Sequence, residues 1–240
     1  MHAIYPAHPI TIVIIVAAML VTPLYMLALY VFSGADPRKG AMLGALWLVF
    51  GAMMTAVCLW GVPARLGLPG NLVVPIAWFT PSVLLIVFRK WALERPLSQR
   101  WLIALQLWRA IGAVFLIEMA RGHIPPVFAY PAGLGDVFAA LVALGALVAF
   151  RGNLLIPRWA IITVAVVGIA DFLSAFFFGF TSSEGPQNLF PQDSPSRVIE
   201  FPTGMIPLFL VPYAIFFHTL SMLSLRGPGS INAEAPAKRT

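Results

Sequence analysis

Three charged residues, Arg109, Asp136 and Asp171, lie inside long apolar segments, where ionised side chains are costly. An arginine in a bilayer costs at least about 2.5–3.5 kcal/mol on insertion scales unless it is paired or hydrated. Measured along their helices at about 1.5 Å per residue, the two acids lie at similar depth. They are separated from Arg109 by about 6–8 Å along the membrane normal, a gap that an extended arginine side chain can cross. We therefore predict that Arg109 contacts both acids.

Three further polar residues belong to this predicted cluster. Gln106 precedes Arg109 in the same segment, Ser174 follows Asp171 by one helical turn, and His218 lies at a depth similar to that of Arg109. Polar side chains at these positions face the interior of a helical bundle or a cavity, because the bilayer does not solvate them. The functional interpretation is an outward-facing polar cavity that binds a small anion, a polar metabolite or a proton.

Two interpretations without a ligand stay open. In the first, Arg109 and the two acids form a structural bridge that fixes the register of three helices. In the second, Asp136 is an acid in the first turn of its helix, where the helix dipole favours a negative charge.

Several kinds of site are excluded by residue type. A retinal Schiff base needs a lysine within a helix, and the three lysines lie outside the apolar segments, at Lys39, Lys90 and Lys238. His218 is the single histidine in an apolar segment, so a bis-histidine haem is excluded. No zinc-protease helix, serine-hydrolase elbow or P-loop is present. We predict no cofactor, no metal centre and no catalytic residue.

The residues predicted near the outer membrane surface give weaker evidence for a functional site. Glu118 is nine positions beyond Arg109, which places it on another helix face, and we expect a surface pair with Arg121, one turn away. Histidines and acids also occur on this side, but their spacing matches no metal-binding motif. They are His2, His8, His123, Glu184 and Asp193.

The elements that position these residues are apolar helices. Sixty per cent of the residues are apolar, 10% are charged and the mean hydropathy is +0.90, which excludes a water-soluble domain of this length. We predict an all-α integral membrane protein with one transmembrane domain over residues 1–226 and a disordered cytoplasmic tail over 227–240. Its seven transmembrane helices are expected at 9–32, 41–60, 71–88, 100–120, 134–150, 157–180 and 203–225.

The basic residues predict the orientation. Of the 15 Lys and Arg residues, 11 flank alternate connections and three lie on the other side, with Arg109 inside a segment. By the positive-inside rule, the N-terminus is outside and the C-terminus is cytoplasmic in a multi-pass protein of the inner (plasma) membrane. The rule also accounts for the net charge of +6, so we predict the lipid bilayer as partner and no nucleic acid. The 11 are Arg38, Lys39, Arg89, Lys90, Arg95, Arg100, Arg151, Arg158, Arg226, Lys238 and Arg239.

Three segments have unusual compositions. Residues 122–135 hold three prolines and three glycines, which predicts irregular backbone that forms the wall or lid of a cavity, or an interfacial loop with aromatic anchors. The fifth apolar segment carries Gly135, Ala139, Ala143 and Ala146 on one face, which predicts close packing and the most buried helix. Pro207 and Pro212 predict a bend in the last helix.

Four motifs give the second half of the chain a recognisable pattern. They are QLWR at 106–109, FAYPAGLGD at 128–136, GxxD at 168–171 and PLFLVPYAIFFH at 207–218. On these motifs the chain resembles uncharacterised bacterial seven-helix integral membrane proteins. The resemblance implies no activity, but it selects Arg109, Asp136, Asp171 and His218, as the depth argument does.

The functional prediction is binding or transport of a small polar solute or ion through the outward-facing cavity. One alternative is a non-catalytic accessory subunit, which requires a membrane protein partner and a polar cluster whose groups satisfy one another. The other is a lipid-modifying enzyme that uses Asp136 and Asp171 as acid and base. Against the enzyme, the sequence offers no nucleophile, metal cluster or carboxylate motif for a diphosphate.

Overall fold

The structure is a computed structural model that describes residues 5–60, 70–153, 155–182, 188–191 and 196–225. The predicted tail at 227–240 lies outside the described residues. All regular elements of the described residues are helical. They are α1 (Pro9–Phe32), α2 (Pro37–Trp60), α3 (Gly70–Val87), α4 (Arg89–Ala92), α5 (Gln99–Leu105), a 3₁₀ helix (Gln106–Ala113), α6 (Val114–Ala120), α7 (Pro126–Ala149), α8 (Arg158–Thr181), a π helix (Ile206–Leu210) and α9 (Val211–Ser224).

Six of these helical segments are long and apolar enough to cross a membrane. Two are composite: the central span Gln99–Ala120 joins α5, the 3₁₀ helix and α6, and the last span Ile206–Ser224 joins the π helix and α9. The remaining predicted crossing, 71–88, coincides with α3, whose apolar stretch Val73–Val87 is shorter than the six. The fold is therefore all-helical with six candidate spans, and the seventh crossing and the orientation stay predictions.

The connections that carry most of the basic residues lie together at one end of the bundle, called the basic end below. Lys39 Nζ donates to the carbonyl of Trp91 at 2.8 Å and pairs with Glu94 at 2.5 Å. Arg100 donates to the carbonyls of Phe150, at 2.5 Å, and of Asn153. Cationic side chains thus bind the carbonyls of the connections after α3 and α7, which would otherwise lack partners.

The α1–α2 pair packs closely because α2 presents glycines to α1. A side-chain carbon on Gly40 would lie 2.8 Å from Tyr30 Cβ, and one on Gly44 would lie 2.8 Å from the carbonyl oxygen of Pro23. Small residues at a helix interface allow this approach in a membrane. Gly34, with φ +66°, makes the tight turn between the two helices.

The last span is the centre of the bundle. Of its apolar window 72% is buried, against 33% for Pro126–Ala149, so the prediction that the fifth apolar segment is the most buried helix was wrong. The small-residue face of that segment does pack inside, since Ala139 and Ala143 are buried. The last span is the more buried of the two because its bulky aromatic side chains, among them Tyr213 and Phe217, fill the space between the other helices.

The two prolines of the last span lie in and just after the π helix, and the bend that they predict stays a prediction. Pro207 lies within the π helix and Pro212 lies just after it. Proline has no backbone N–H, so two hydrogen bonds of the helix are missing there. The indole Nε1 of Trp78 on α3 donates to the carbonyl of Pro207 at 2.7 Å. A side chain from a neighbouring helix thus satisfies a carbonyl at the irregular turn.

The segment 122–135 is largely helical, so both interpretations of it as irregular backbone were wrong. Helix α7 begins at Pro126 and continues through Pro131. Pro125 caps it in an extended conformation, and a proline at the first helical position loses no hydrogen bond because the amide there has no partner. Gly133 faces the central span, where an added side-chain carbon would lie 3.0 Å from Leu116.

Candidate functional site

The 3₁₀ geometry of the central span aligns the residues of the site. Residues three apart eclipse one another in a 3₁₀ helix, whereas in an α-helix they diverge by about 60°. The buried residues of this segment are Gln106, Arg109 and Gly112, which form one stripe. An eight-residue 3₁₀ segment is unusually long. Its register points a glutamine, an arginine and a glycine at the same neighbours.

Arg109 is fully buried and uses each of its guanidinium nitrogens. Its Nε donates to Asp136 Oδ1 at 2.9 Å, and its Nη1 donates to the carbonyl of Gly168 at 3.1 Å. Its Nη2 donates to Asp171 Oδ2. The guanidinium carbon also lies 3.9 Å from the ring centroid of Phe172, which adds a cation–π contact. The central span is thus joined to α7 and α8, as the sequence predicted.

Arg109, Asp136 and Asp171 are called the Arg109 cluster, and its two acids also face each other. The carboxyl groups of Asp136 and Asp171 lie within hydrogen-bonding reach of one another, and their side chains are 8% and 9% exposed. Asp136 is ten residues from the start of α7, so its interpretation as an acid in the first turn was wrong. One guanidinium therefore faces two carboxyl groups, and the cluster is neutral when the acids hold one proton between them.

Three glycines make room for these side chains. A side-chain carbon on Gly112 would lie 2.5 Å from Asp136 Cβ, and one on Gly135 would lie 2.8 Å from Asp171 Cγ. On Gly168 it would lie 2.5 Å from His218 Nε2. Real side-chain carbons do not approach this closely, so each of three helices has a glycine where the cluster needs its space. The composition indicates that some glycines lie at helix contacts. The register of a single helix does not show which glycine faces a charged side chain.

His218 and Gln106 lie beside the Arg109 cluster on the side of the basic end. His218 is 4% exposed and its Nε2 faces Gly168, close to the Arg109 guanidinium. Gln106 is 2% exposed. In the described part of the chain, His218 Nε2 and both amide atoms of Gln106 have no hydrogen-bond partner. Ser174 is half-buried, and no hydrogen bond between described residues joins it to the cluster.

Aromatic rings pack in the half of the bundle that lies away from the basic end. Phe115 and Phe128 pack edge to face with ring centroids 5.1 Å apart, and both are buried. The rings of Phe172 and Phe176 both pack against Trp78, with ring centroids 6.0 and 5.6 Å from the indole. The outward-facing cavity is predicted in this half and stays a prediction. The rings named here are apolar, and the described polar groups nearer that end include those around Glu118.

Two pockets of the structure lie away from the cluster. An apolar groove of about 370 Å³ runs between α1, α2 and the π helix and includes Trp47, Trp60 and Phe209. A polar pocket of about 330 Å³ at the basic end includes Lys39 and Glu94. Neither pocket contains a residue of the Arg109 cluster.

A second buried charge lies near the opposite end. Glu118 is fully buried and accepts hydrogen bonds from the backbone amide of His8 at 2.9 Å, from Thr11 Oγ1 at 2.6 Å and from His123 Nδ1 at 2.9 Å. The predicted surface pair with Arg121 was therefore wrong. The partners come from the start of the chain, which helix geometry around Glu118 cannot reveal. These four residues, His8, Thr11, Glu118 and His123, are called the Glu118 cluster.

The segment before α1 is attached to the same region. Tyr5 donates through its hydroxyl to Thr203 Oγ1 at 3.0 Å, and its ring lies edge-on to His123 at 5.1 Å. Burial raises the pKa of the Tyr5 hydroxyl to about 12, so it stays a neutral donor at physiological pH. Together with the Glu118 cluster, this contact attaches the N-terminal segment to the central span and to residue 203.

Metal binding finds no support in the residues that the structure describes, where no group of three or more His, Cys, Asp or Glu could hold an ion. Three of the residues considered for an outer metal site, His2, Glu184 and Asp193, lie outside the described residues.

A family model matches residues 69–226, about two thirds of the chain, and describes a domain of unknown function, DUF8737. The chain belongs to this family. No curated protein and no solved structure matches it. The match gives neither a helix count nor an activity, so it lends no support to the resemblance to bacterial seven-helix proteins. It contains the whole Arg109 cluster, whereas His8 and Thr11 of the Glu118 cluster lie before it.

Proposed function

We propose that this protein transports protons across the membrane and that the Arg109 cluster is the site that binds them. The observation that carries the proposal is the unequal charge of the cluster, in which one guanidinium faces two carboxyl groups that also face each other. Two like charges at hydrogen-bonding distance favour sharing one proton. Buried ionisable groups of this kind mark proton and ion pathways in membrane proteins.

The unpartnered groups beside the cluster support a functional site over a structural bridge. A structural bridge stabilises most when every polar group has a partner, because an unpaired polar group at the same depth costs about 1–3 kcal/mol. Gln106 and His218 are nine-tenths buried or more, and both have side-chain atoms with no partner among the described residues. The same observation argues against an accessory subunit whose polar residues all satisfy one another.

The geometry gives no support to the lipid-modifying enzyme. Both carboxyl groups are engaged by Arg109, and the guanidinium is fully buried under Phe172. An acid–base pair must reach the bond that it cleaves. Asp136 and Asp171 point toward a protein cation instead.

Proteoliposomes test the transport role. With a pH-sensitive dye inside and a potassium diffusion potential that is negative inside, we expect proton entry with the wild-type protein. Asp136→Asn and Asp171→Asn should each abolish it, because each removes one of the two protonatable carboxyls. Glu118→Gln, which changes a buried acid outside the Arg109 cluster, should retain it. Equal proton entry with wild-type protein, both Asp variants and protein-free liposomes would contradict the proposal.

A further inference from the structure

The unpartnered polar atoms of the bundle are unevenly distributed. Seven buried side-chain nitrogen or oxygen atoms of the described residues lack a hydrogen-bond partner, and four of them belong to Gln106, His218 and Ser224. These three residues lie between the Arg109 cluster and the basic end. Of the other three, one belongs to Trp108, next to Arg109 in the chain, and two belong to Asn188 and Arg197 in the connection after α8.

These residues lie on two facing helices. Gln99 and Ser221 join α5 to α9 by two hydrogen bonds: Gln99 Nε2 donates to the carbonyl of Ser221 at 3.1 Å, and Ser221 Oγ donates to Gln99 Oε1 at 2.6 Å. Gln106 is seven residues from Gln99, two turns on the same face. We name the set Gln99, Gln106, His218, Ser221 and Ser224 the polar column.

The column spans the distance from the cluster to the basic end. From Arg109 to Gln99 the central span advances about 16 Å, and from His218 to Ser224 α9 advances about 9 Å. Four of the five column residues are at most 5% exposed, so the polar groups are enclosed by the bundle and do not face lipid. Its upper end is His218, which adjoins the guanidinium of Arg109 across Gly168.

We propose that the polar column is a hydrated path by which protons pass between the basic end and the carboxyl pair of Asp136 and Asp171. Buried polar groups with unused donors and acceptors are where internal water binds, since a water needs two to four such partners. A proton enters from bulk water, passes along water, Ser224, Ser221, Gln106 and His218, and ends on a carboxyl oxygen. The charged groups around that endpoint are Arg109 on the central span, Asp136 on α7 and Asp171 on α8.

This inference rests on the proposed function and reverses the access side that the sequence suggested. The chemistry of the column favours a proton over a metal cation. Its members are amides, hydroxyls and one imidazole, which can exchange hydrogen bonds with water, and none is a carboxylate that would replace a cation's hydration shell. The unequal charge of the Arg109 cluster provides the attraction for a positive charge at the end of the path.

Variants that carry one introduced cysteine test the proposed path. The chain has one cysteine, Cys58, which is buried against Met205, so the Cys58→Ser protein is the background. In it, Ser221→Cys and Ser224→Cys replace column residues by a side chain of similar size. Ag⁺ is the probe, because it is as small as a hydrated path requires and does not cross lipid. It is added to one face of sealed vesicles, and blocked cysteines are counted by alkylation and mass spectrometry after denaturation.

The matched control is Ser82→Cys. Ser82 is buried on α3, is contacted by Thr219 of α9 at 3.2 Å, and so lies at the depth of the column but outside it. Glu94→Cys, exposed at the basic end, reports which face of the vesicles received Ag⁺. Gel filtration of each variant confirms that it is folded.

We expect Ag⁺ to block both column cysteines from the basic end, with Ser82→Cys unmodified. Modification of Ser174→Cys from the other face, with no reaction at positions 221 and 224, would overturn the inference and favour the outward-facing cavity. The proposed function fails separately. If Ag⁺ enters the column but Asp136→Asn and Asp171→Asn leave proton entry into liposomes unchanged, the path stands and the proton site does not.

Discussion

The two buried charge clusters of this protein solve the same physical problem in different ways. In the Glu118 cluster, one carboxylate accepts three hydrogen bonds at 2.6–2.9 Å from a backbone amide, a hydroxyl and an imidazole. In the Arg109 cluster, one guanidinium is shared by two carboxyl groups, and the adjoining glutamine and histidine have unused polar atoms. No buried side-chain atom of the Glu118 cluster lacks a partner among the described residues, whereas atoms of Gln106 and His218 beside Arg109 do.

The difference suggests distinct roles. A fully satisfied charge fixes a local structure, and the Glu118 cluster joins the N-terminal segment to the central span. Buried polar groups without a partner, such as those of Gln106 and His218 beside the Arg109 cluster, have a free-energy cost that persists where binding chemistry uses them. The variants below test this contrast by changing equivalent groups in both clusters.

The largest expected effect is that of Arg109→Ala. It leaves two carboxyl groups buried without their cation, which should lower the free energy of unfolding by about 3–5 kcal/mol. Denaturant titration in detergent micelles, followed by tryptophan fluorescence, measures the change. Arg121→Ala is the control, because Arg121 is exposed and makes one long hydrogen bond of 3.4 Å to Pro6. A difference between the two variants below about 1 kcal/mol would contradict the ion-paired cluster.

The next effect is that of Glu118→Ala. Removing the carboxylate leaves the Thr11 hydroxyl and the His8 amide without an acceptor, which should cost about 2–3 kcal/mol. We also expect faster hydrogen exchange of the backbone amides at residues 7–11, because the segment loses its attachment to the central span. Hydrogen–deuterium exchange with mass spectrometry measures this, with α7 as internal reference. Unchanged exchange at the N-terminal segment would show that the cluster does not hold it.

A smaller effect is expected from Gly168→Ala. The added methyl group would lie 2.5 Å from His218 Nε2 and 2.8 Å from Arg109 Nη1, so the cluster must shift at a cost of about 1–3 kcal/mol. Gly145→Ala is the matched control, since an added carbon there meets nothing within 4 Å. It should be neutral or stabilising by up to about 1 kcal/mol, because alanine favours the helix. Equal unfolding midpoints for the two variants would mean that the glycine is not a space requirement.

The smallest effect distinguishes the clusters most sharply. Gln106→Leu removes an amide that has no partner among the described residues, so stability should stay within about 0.5 kcal/mol of the wild type or rise. Thr11→Val removes a hydroxyl that donates to Glu118, and it should cost about 1 kcal/mol or more. The same denaturant titrations measure both. A larger loss for Gln106→Leu than for Thr11→Val would indicate that Gln106 is a structural hydrogen-bonding residue.

Much of the Arg109 cluster could be predicted from the sequence because depth in a membrane follows from counting residues along apolar helices. The pairing of Arg109 with Asp136 and Asp171 needed only the rise per residue and the cost of a bare charge. The stripe of Gln106, Arg109 and Gly112 could not be predicted, because sequence periodicity assumes α-helical register and the segment is a 3₁₀ helix.

The errors have physical causes of two kinds. The composition predicts a start of α7 that is eight residues too late, because prolines and glycines usually break helices, whereas Pro126 occupies the first helical position. The partners of Glu118 were missed because His8 and Thr11 are more than 100 residues away in the chain. Local rules describe the helix on which a residue lies, and the contacts of a buried charge depend on which helices become neighbours.

The most direct test of the central claim is a pH titration of the carboxyl groups by difference infrared spectroscopy on the purified protein. Proton sharing between the two acids predicts one pH-dependent carbonyl-stretch band of a protonated carboxyl that disappears in both Asp136→Asn and Asp171→Asn and persists in Glu118→Gln. A wild-type spectrum with no such band, or a band that both Asp variants retain, would contradict proton sharing at the Arg109 cluster.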